Sequence, residues 1–164
     1  MMKNEVIIKD NLLDDVHLTQ LDGLIYGECN WFLQKEQTTG QDDGCWFQHI
    51  IYVEDMPTSA LYEPVIKIFK NHLKYVSLCR ITVNLLPRLQ PPSISGFHTD
   101  FEPRRITTAI FYLNTNNGAT EIEGGDRIDC VRNRLIMFPA NTSHRAIGQT
   151  DVTKRIVFNF NFIE

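Results

Sequence analysis

The sequence predicts an α+β fold in which a β-sandwich or barrel is buttressed by N-terminal helices. Three observations carry this expectation. Two segments before residue 75 repeat apolar residues at helical spacing. From Tyr75 onward, short β-rich runs alternate with turn residues. The 164 residues hold no internal repeat, low-complexity stretch or long linker, which suits one domain over 1–164. Its helical support is expected mostly in 1–75 and its β core mostly in 76–164.

Residues 6–9 read as a short strand. Residues 14–26 read as a helix, with Val16, Leu21, Leu24 and Ile25 near one face. A polar stretch over 34–44 contains Thr38-Thr39-Gly40 and Asp42-Asp43-Gly44 and reads as a loop. Residues 46–53 are strand-like. Residues 60–73 form a second predicted helix, with Leu61, Val65, Ile68, Phe69 and Leu73 at helical spacing. Pro64 falls near its start, where a missing N–H matters least. Strands are then expected over 78–86, 106–113, 120–122, 127–131, 135–138 and 155–163. Turns fall at Asn116-Asn117-Gly118, Gly124-Gly125-Asp126 and Pro139-Ala140-Asn141.

Composition narrows the function classes. Apolar residues make up 43% of the chain and charged residues 22%, values that argue against wholesale disorder. The net charge of -4 opposes global steering toward nucleic acid phosphates. Cys29, Cys45, Cys79 and Cys130 form no Cys-x-x-Cys pair and read as reduced thiols. No signal-peptide core and no apolar run of about 20 residues appears. The expectation is a soluble, cytoplasmic protein.

His98-Thr99-Asp100 puts two metal-ligating side chains on one side of an extended segment. Two histidines and a carboxylate on one face, with open positions opposite, suit iron(II) in oxygen chemistry. The third ligand must come from a distant strand. Of the other histidines, His17 and His72 lie in predicted helices, and His49 lies in a β run where packing explains it. His144 follows the apolar run 135–138 and the turn after it, a position that reaches a pocket. Arg155 comes eleven positions later. It opens an alternation of Arg155, Val157, Asn159 and Asn161 on one face against Ile156, Phe158, Phe160 and Phe162 on the other. The phenylalanine face is core, and the polar face points to a cavity. A guanidinium there grips a carboxylate with two parallel hydrogen bonds. Lys154 is the alternative anchor, although it falls on the phenylalanine face.

The order His98-Thr99-Asp100, His144, Arg155 resembles the iron(II)- and 2-oxoglutarate-dependent dioxygenases. It most resembles the small phage and bacterial members related to prolyl 4-hydroxylases. Phe111-Tyr112-Leu113-Asn114 followed by Asn117-Gly118-Ala119-Thr120 is similar to their Tyr-Leu-Asn and Gly-rich segments. Asn133-Arg134-Leu135-Ile136-Met137-Phe138 resembles the strand before the distal histidine, and Arg80-Ile81-Thr82-Val83-Asn84-Leu85 the strand that enters the site. Where several relatives have two glycines, this chain has Asn117-Gly118.

The resemblance implies a double-stranded β-helix, or jelly-roll, core. It implies Fe(II), 2-oxoglutarate and O2 as cofactor and cosubstrates, with His98, Asp100 and His144 on the metal and Arg155 on the distal carboxylate of 2-oxoglutarate. Tyr112 would contact that carboxylate, or is a buried aromatic of a central strand. Thr120 would line the same pocket. Asn84 would face the site, or satisfies backbone groups. The implied activity is hydroxylation of a peptidyl (prolyl-like) or small-molecule substrate with release of succinate and CO2. Segments 34–44 and 88–97 are candidate lids. Arg104 and Arg105 are solvated charge, or meet an anionic substrate. The alternatives are a non-catalytic jelly-roll metal-binding module and an oxygenase acting on nucleobases. Implied partners are the cosubstrate and a peptidyl or small-molecule substrate, in the cytoplasm of a host cell if the chain is phage-encoded. No nucleic acid or membrane partner is expected.

Overall fold

The computed structural model describes residues 6–34, 45–102 and 105–164, and it is mostly β. In chain order the elements begin with β1 (Ile7–Lys9), α1 (Asp15–Gly23), which runs into a π-helical turn (Leu24–Glu28), and β2 (Phe32–Gln34). Next come β3 (Trp46–Val53), β4 (Met56–Pro57), α2 (Tyr62–Phe69) and β5 (Ser77–Pro87). The rest is β6 (Ile106–Tyr112), β7 (Ala119–Ile122), β8 (Arg127–Asp129), β9 (Arg134–Pro139), β10 (His144–Ile147) and β11 (Lys154–Ile163).

The strands build an eight-stranded sheet in the order β1-β9-β6-β11-β5-β3-β2, with β4 added to β3, and a three-stranded sheet in the order β10-β7-β8. All pairings between these strands are antiparallel. The period-two pattern of β11 comes out as read. Ile156, Phe158, Phe160 and Phe162 join one apolar cluster with Leu18, Leu21 and Ile25 and with Val65, Ile68 and Phe69 of α2. Val157 joins a second cluster with Ile110, Tyr112, Ile136 and Phe138 of the large sheet and with Ile122, Ile128 and Cys130. The large sheet is therefore apolar on one face, and on the other an apolar patch beside the polar side chains of β5, β6 and β11 meets the small sheet.

Phe69 is the hub of the first cluster. Its ring centroid lies 4.7 Å from that of Phe160, 5.1 Å from Phe111 and 6.0 Å from Phe158. Phe69→Ala is expected to cost about 3–5 kcal/mol by urea denaturation. A loss below about 1 kcal/mol would show that the helix does not hold the sheet.

Several elements differ from expectation for local reasons. Val16 is 65% exposed, while Leu18, Leu21 and Ile25 are buried. Val16 lies five residues from Leu21, about 140° round the helix from it. Residues 6–75 carry β1 to β4 as well as both helices, and β1, β2 and β3 extend the large sheet. The strands β2, β4 and β10 span two to four residues and carry no periodic signal of their own. Of the two candidate lids, 88–97 is fastened to β10. The Ser95 N–H donates to Ala146 O at 3.0 Å, the Gly148 N–H donates to Ser93 O at 2.7 Å, and Ile94 bridges to Ile147. The other, 34–44, lies outside the described residues apart from Gln34, which closes β2, and so does Arg104. Among the described residues no helix is long and apolar enough to cross a membrane.

Candidate active site

His98 and His144 face each other across an antiparallel bridge in which each backbone N–H donates to the other's carbonyl at 2.9 Å. Directly opposed residues in such a pair project their side chains to the same face. The two rings accordingly sit 4.6 Å apart. His144 opens β10 instead of trailing a strand end, since β10 was not visible in the sequence. The His98 Nδ1 lies 3.2 Å from Gly96 O, and the His144 Nδ1 lies 3.0 Å from Thr142 O. A carbonyl only accepts, so each Nδ1 is the donor, and in the neutral ring Nε2 is the atom left to ligate a metal. Burial holds the His144 imidazolium below its usual pKa despite the pull of Asp100, which favours the neutral, metal-ligating ring. Ligand atoms of His98, Asp100 and His144 all lie within 4.8 Å of one another.

Asp100 is held by a row of residues that crosses three strands. Arg80 on β5, Asn161 on β11 and Thr108 on β6 are register partners, so their side chains share one face. The Arg80 Nη2 donates to Asp100 Oδ1 at 3.0 Å. The Thr108 hydroxyl and the Asn161 Nδ2 donate to Oδ2 at 2.7 and 3.0 Å. Burial works to raise the carboxyl pKa, but the pull of His144 and Arg80 and the donors Asn161 and Thr108 outweigh it and hold it below the usual range. Asp100 is therefore a preformed carboxylate.

Arg155 is 2% exposed and borders the same cavity as His98, His144, Thr120, Asn84 and Asn159. Its Nε donates to Cys130 Sγ at 2.8 Å and its Nη2 to Thr120 Oγ1 at 3.2 Å, with the guanidinium 5.8 Å from the Tyr112 ring. Among the described residues no carboxylate pairs with it. Tyr112 is completely buried and does not line the cavity. Its hydroxyl donates to Thr120 Oγ1 at 2.8 Å, and burial pushes the phenol pKa up, so it stays protonated. Asn84 accepts from Gln48 Nε2 at 3.2 Å. Asn159 Oδ1 is buried with no hydrogen-bond partner among the described residues, an acceptor left for an occupant of the cavity.

All seven residues expected at the site thus cluster at one cavity or directly behind it. Lys154 does not: its Nζ lies over the Tyr26 ring at 5.0 Å. His49 packs, as expected, with its ring nitrogens 2.6 Å from Asn30 O and 2.6 Å from Ser59 Oγ. Sequence reading missed Thr108 and Cys130 because a lone threonine or cysteine in a strand has no signature. Asn161 was legible only as part of a polar face, and Arg80 only as part of a strand.

Gly118 explains why one glycine of the Asn117-Gly118 turn is required. A Cβ there would stand 2.7 Å from Ile147 O, 2.8 Å from Asn116 Oδ1 and 3.1 Å from Arg155 Cδ. Gly118→Ala is expected to push against Ile147, Asn116 and the Arg155 stem and to cost about 1–3 kcal/mol by urea denaturation. A loss below about 0.5 kcal/mol would show that the turn has room for a side chain.

The donor set of two Nδ1-protonated imidazoles and one carboxylate, clustered on one side, fits a divalent iron with open positions. No protein-family model and no curated protein matches the sequence. Solved structures do. The chain is similar to a Pseudomonas putida prolyl-4-hydroxylase at 15% identity, covering 99% of this chain and 94% of that one, with a TM-score of 0.63. It is similar to a Trichoplax adhaerens prolyl hydroxylase in complex with a hypoxia inducible factor peptide at 15% identity, covering 98% and 84%, with a TM-score of 0.63. It is also similar to HygX of Streptomyces hygroscopicus, a structure with nickel and 2-oxoglutarate bound, at 7% identity, covering 96% and 82%, with a TM-score of 0.62. The chain has the jelly-roll fold of the 2-oxoglutarate- and Fe(II)-dependent oxygenases.

Proposed function

We propose that the chain is an Fe(II)- and 2-oxoglutarate-dependent dioxygenase that hydroxylates a peptidyl (prolyl-like) or small-molecule substrate, with release of succinate and CO2. One observation carries the reading. A buried guanidinium without a carboxylate partner among the described residues borders the cavity that holds the metal-ligating cluster. A purely structural metal site has no use for such a cation, whereas a dicarboxylic cosubstrate needs it at its far end.

In this reading His98, Asp100 and His144 hold the iron, which with the keto acid supplies the oxygen activation. Arg155 takes the distal carboxylate. Thr120 Oγ1 accepts from both Tyr112 and Arg155, which leaves its own proton to donate to that carboxylate. Tyr112 acts through Thr120. Asn84, with its carbonyl oxygen engaged by Gln48, lines the cavity. Ile110 and Val157 line the cavity between its polar ends and limit water. The whole of 1–164 works as one oxygenase domain, with the two helices supporting the large sheet. Similar folds with a hypoxia inducible factor peptide or hygromycin B bound support a peptidyl or small-molecule substrate equally.

Anaerobic iron titration followed by a 2-oxoglutarate turnover assay tests the proposal. Succinate formation by the wild-type chain, alone or with peptide and metabolite extracts, is the expected result, with a substrate gaining one oxygen atom by mass spectrometry. Iron uptake with no succinate under any condition would point instead to a metal-binding module. Oxygen consumption indifferent to 2-oxoglutarate would point to an iron enzyme of another kind.

A further inference from the structure

Five hydrogen bonds close a network around Asp100. Besides the three donors already described, the Arg80 Nε donates to Asn161 Oδ1 at 3.0 Å and the Asn161 Nδ2 donates to Thr108 Oγ1 at 2.9 Å. The three partners differ in one respect. Thr108 and Asn161 are neutral and buried, whereas Arg80 brings a full positive charge to the carboxylate from a side chain that is 32% exposed. Arg80 also lies 5.1 Å from the Phe101 ring centroid, which backs the guanidinium. Orientation of Asp100 needs only donors, and two are already present on Oδ2. A cation on Oδ1 does something more: it withdraws charge from the carboxylate and repels a metal ion beyond it.

We propose that Arg80 is a charge-tuning positioning residue of the metal centre, which biases the site toward the divalent over the trivalent ion. The inference rests on the metal role of Asp100 proposed above. Its reason is Coulombic: repulsion scales with the product of the charges, so a fixed cation penalises a trivalent ion more than a divalent one. The register row places that cation on the same face as Thr108 and Asn161, so tuning and orientation come from different side chains.

The test uses the iron-loaded full chain in a mediated redox titration, read by the ferric electron paramagnetic resonance signal. Manganese(II) and zinc(II) titrations run in parallel. Arg80→Gln and Arg80→Met remove the charge, Arg80→Lys keeps it, and Thr108→Val removes a neutral donor. Both neutral Arg80 variants are expected to shift the ferric-to-ferrous affinity ratio at least tenfold toward ferric, a potential lower by ~59 mV or more for one electron. Arg80→Lys is expected to restore the ratio to near wild type. Thr108→Val is expected to weaken manganese(II) and zinc(II) binding about 10–100-fold and to leave the ratio alone. An unchanged ratio in the neutral variants, or a lysine variant that behaves like them, overturns the proposal. So does a ratio shift in Thr108→Val as large as theirs. Collapse of both neutral variants beside a folded lysine variant marks Arg80 as a structural ion-pair partner and overturns it too. A wild-type chain that takes up no divalent ion sinks both this inference and the proposed function, whereas every other negative result sinks the inference alone.

Discussion

Arg155→Met is expected to leave the ligand-free chain at least as stable as wild type and to abolish its stabilisation by 2-oxoglutarate. Arg155 is completely enclosed, and its partners are a thiol, a threonine hydroxyl and an aromatic ring. None supplies a full counter-charge. Replacing buried charge by an apolar side chain of similar volume is often neutral, or stabilising by about 1–4 kcal/mol. For a chain of this size about 1 kcal/mol corresponds to roughly 2–4 °C in melting temperature. Under the proposed function, 2-oxoglutarate reverses the comparison. At about a hundred times its Kd a ligand adds ~2.7 kcal/mol to the state that binds it, and only the wild-type chain can gain that amount. Thermal melts of metal-loaded protein with and without 2-oxoglutarate measure both halves. A ligand-free Arg155→Met chain that melts well below wild type would make Arg155 a structural cation and remove the main support for a dicarboxylate site.

The second large effect separates the two ends of the cavity. Asp100→Ala is expected to abolish metal binding, while Arg155→Met keeps manganese(II) affinity within about threefold of wild type. Asp100 is one of the three clustered groups that could hold a metal ion, and the only anionic one. Its loss also strands Arg80, Thr108 and Asn161, whose donors all converge on it. Arg155 makes no contact with any of the three ligands in its hydrogen bonds. Calorimetry with manganese(II), followed by 2-oxoglutarate, reads both ends in one experiment. Equal loss of metal in the two variants would contradict the division of roles.

Much of this arrangement is legible in the sequence. The helix over 60–73 placed its five apolar residues on one buried stripe, because a 3.6-residue period survives even where the helix itself is shorter, at Tyr62–Phe69. The β11 alternation survived for the same reason with period two. What failed was short and local. β10 has four residues, too few for a period, so His144 read as a loop residue although it opens a strand. Val16 reads as near one face with Leu21 and Ile25 because a valine in a helix looks apolar wherever it lies, yet it is exposed.

The feature that sequence alone determined is the list of groups: two histidines and an aspartate in an order that matches a metal site, and an arginine on the polar face of a strand whose other face is core. Chemistry and period are carried by the residues themselves, so they can be read from them. Only the tertiary structure decided what each group meets. The bridge between His98 and His144 spans 46 positions of sequence and is made by backbone pairing. The Arg80, Asn161 and Thr108 row exists because β5, β11 and β6 are neighbours in one register. Pairing between distant strands depends on the whole sheet, and no local pattern encodes it. That is why Asp100 could be named in advance while the three side chains that hold it could not.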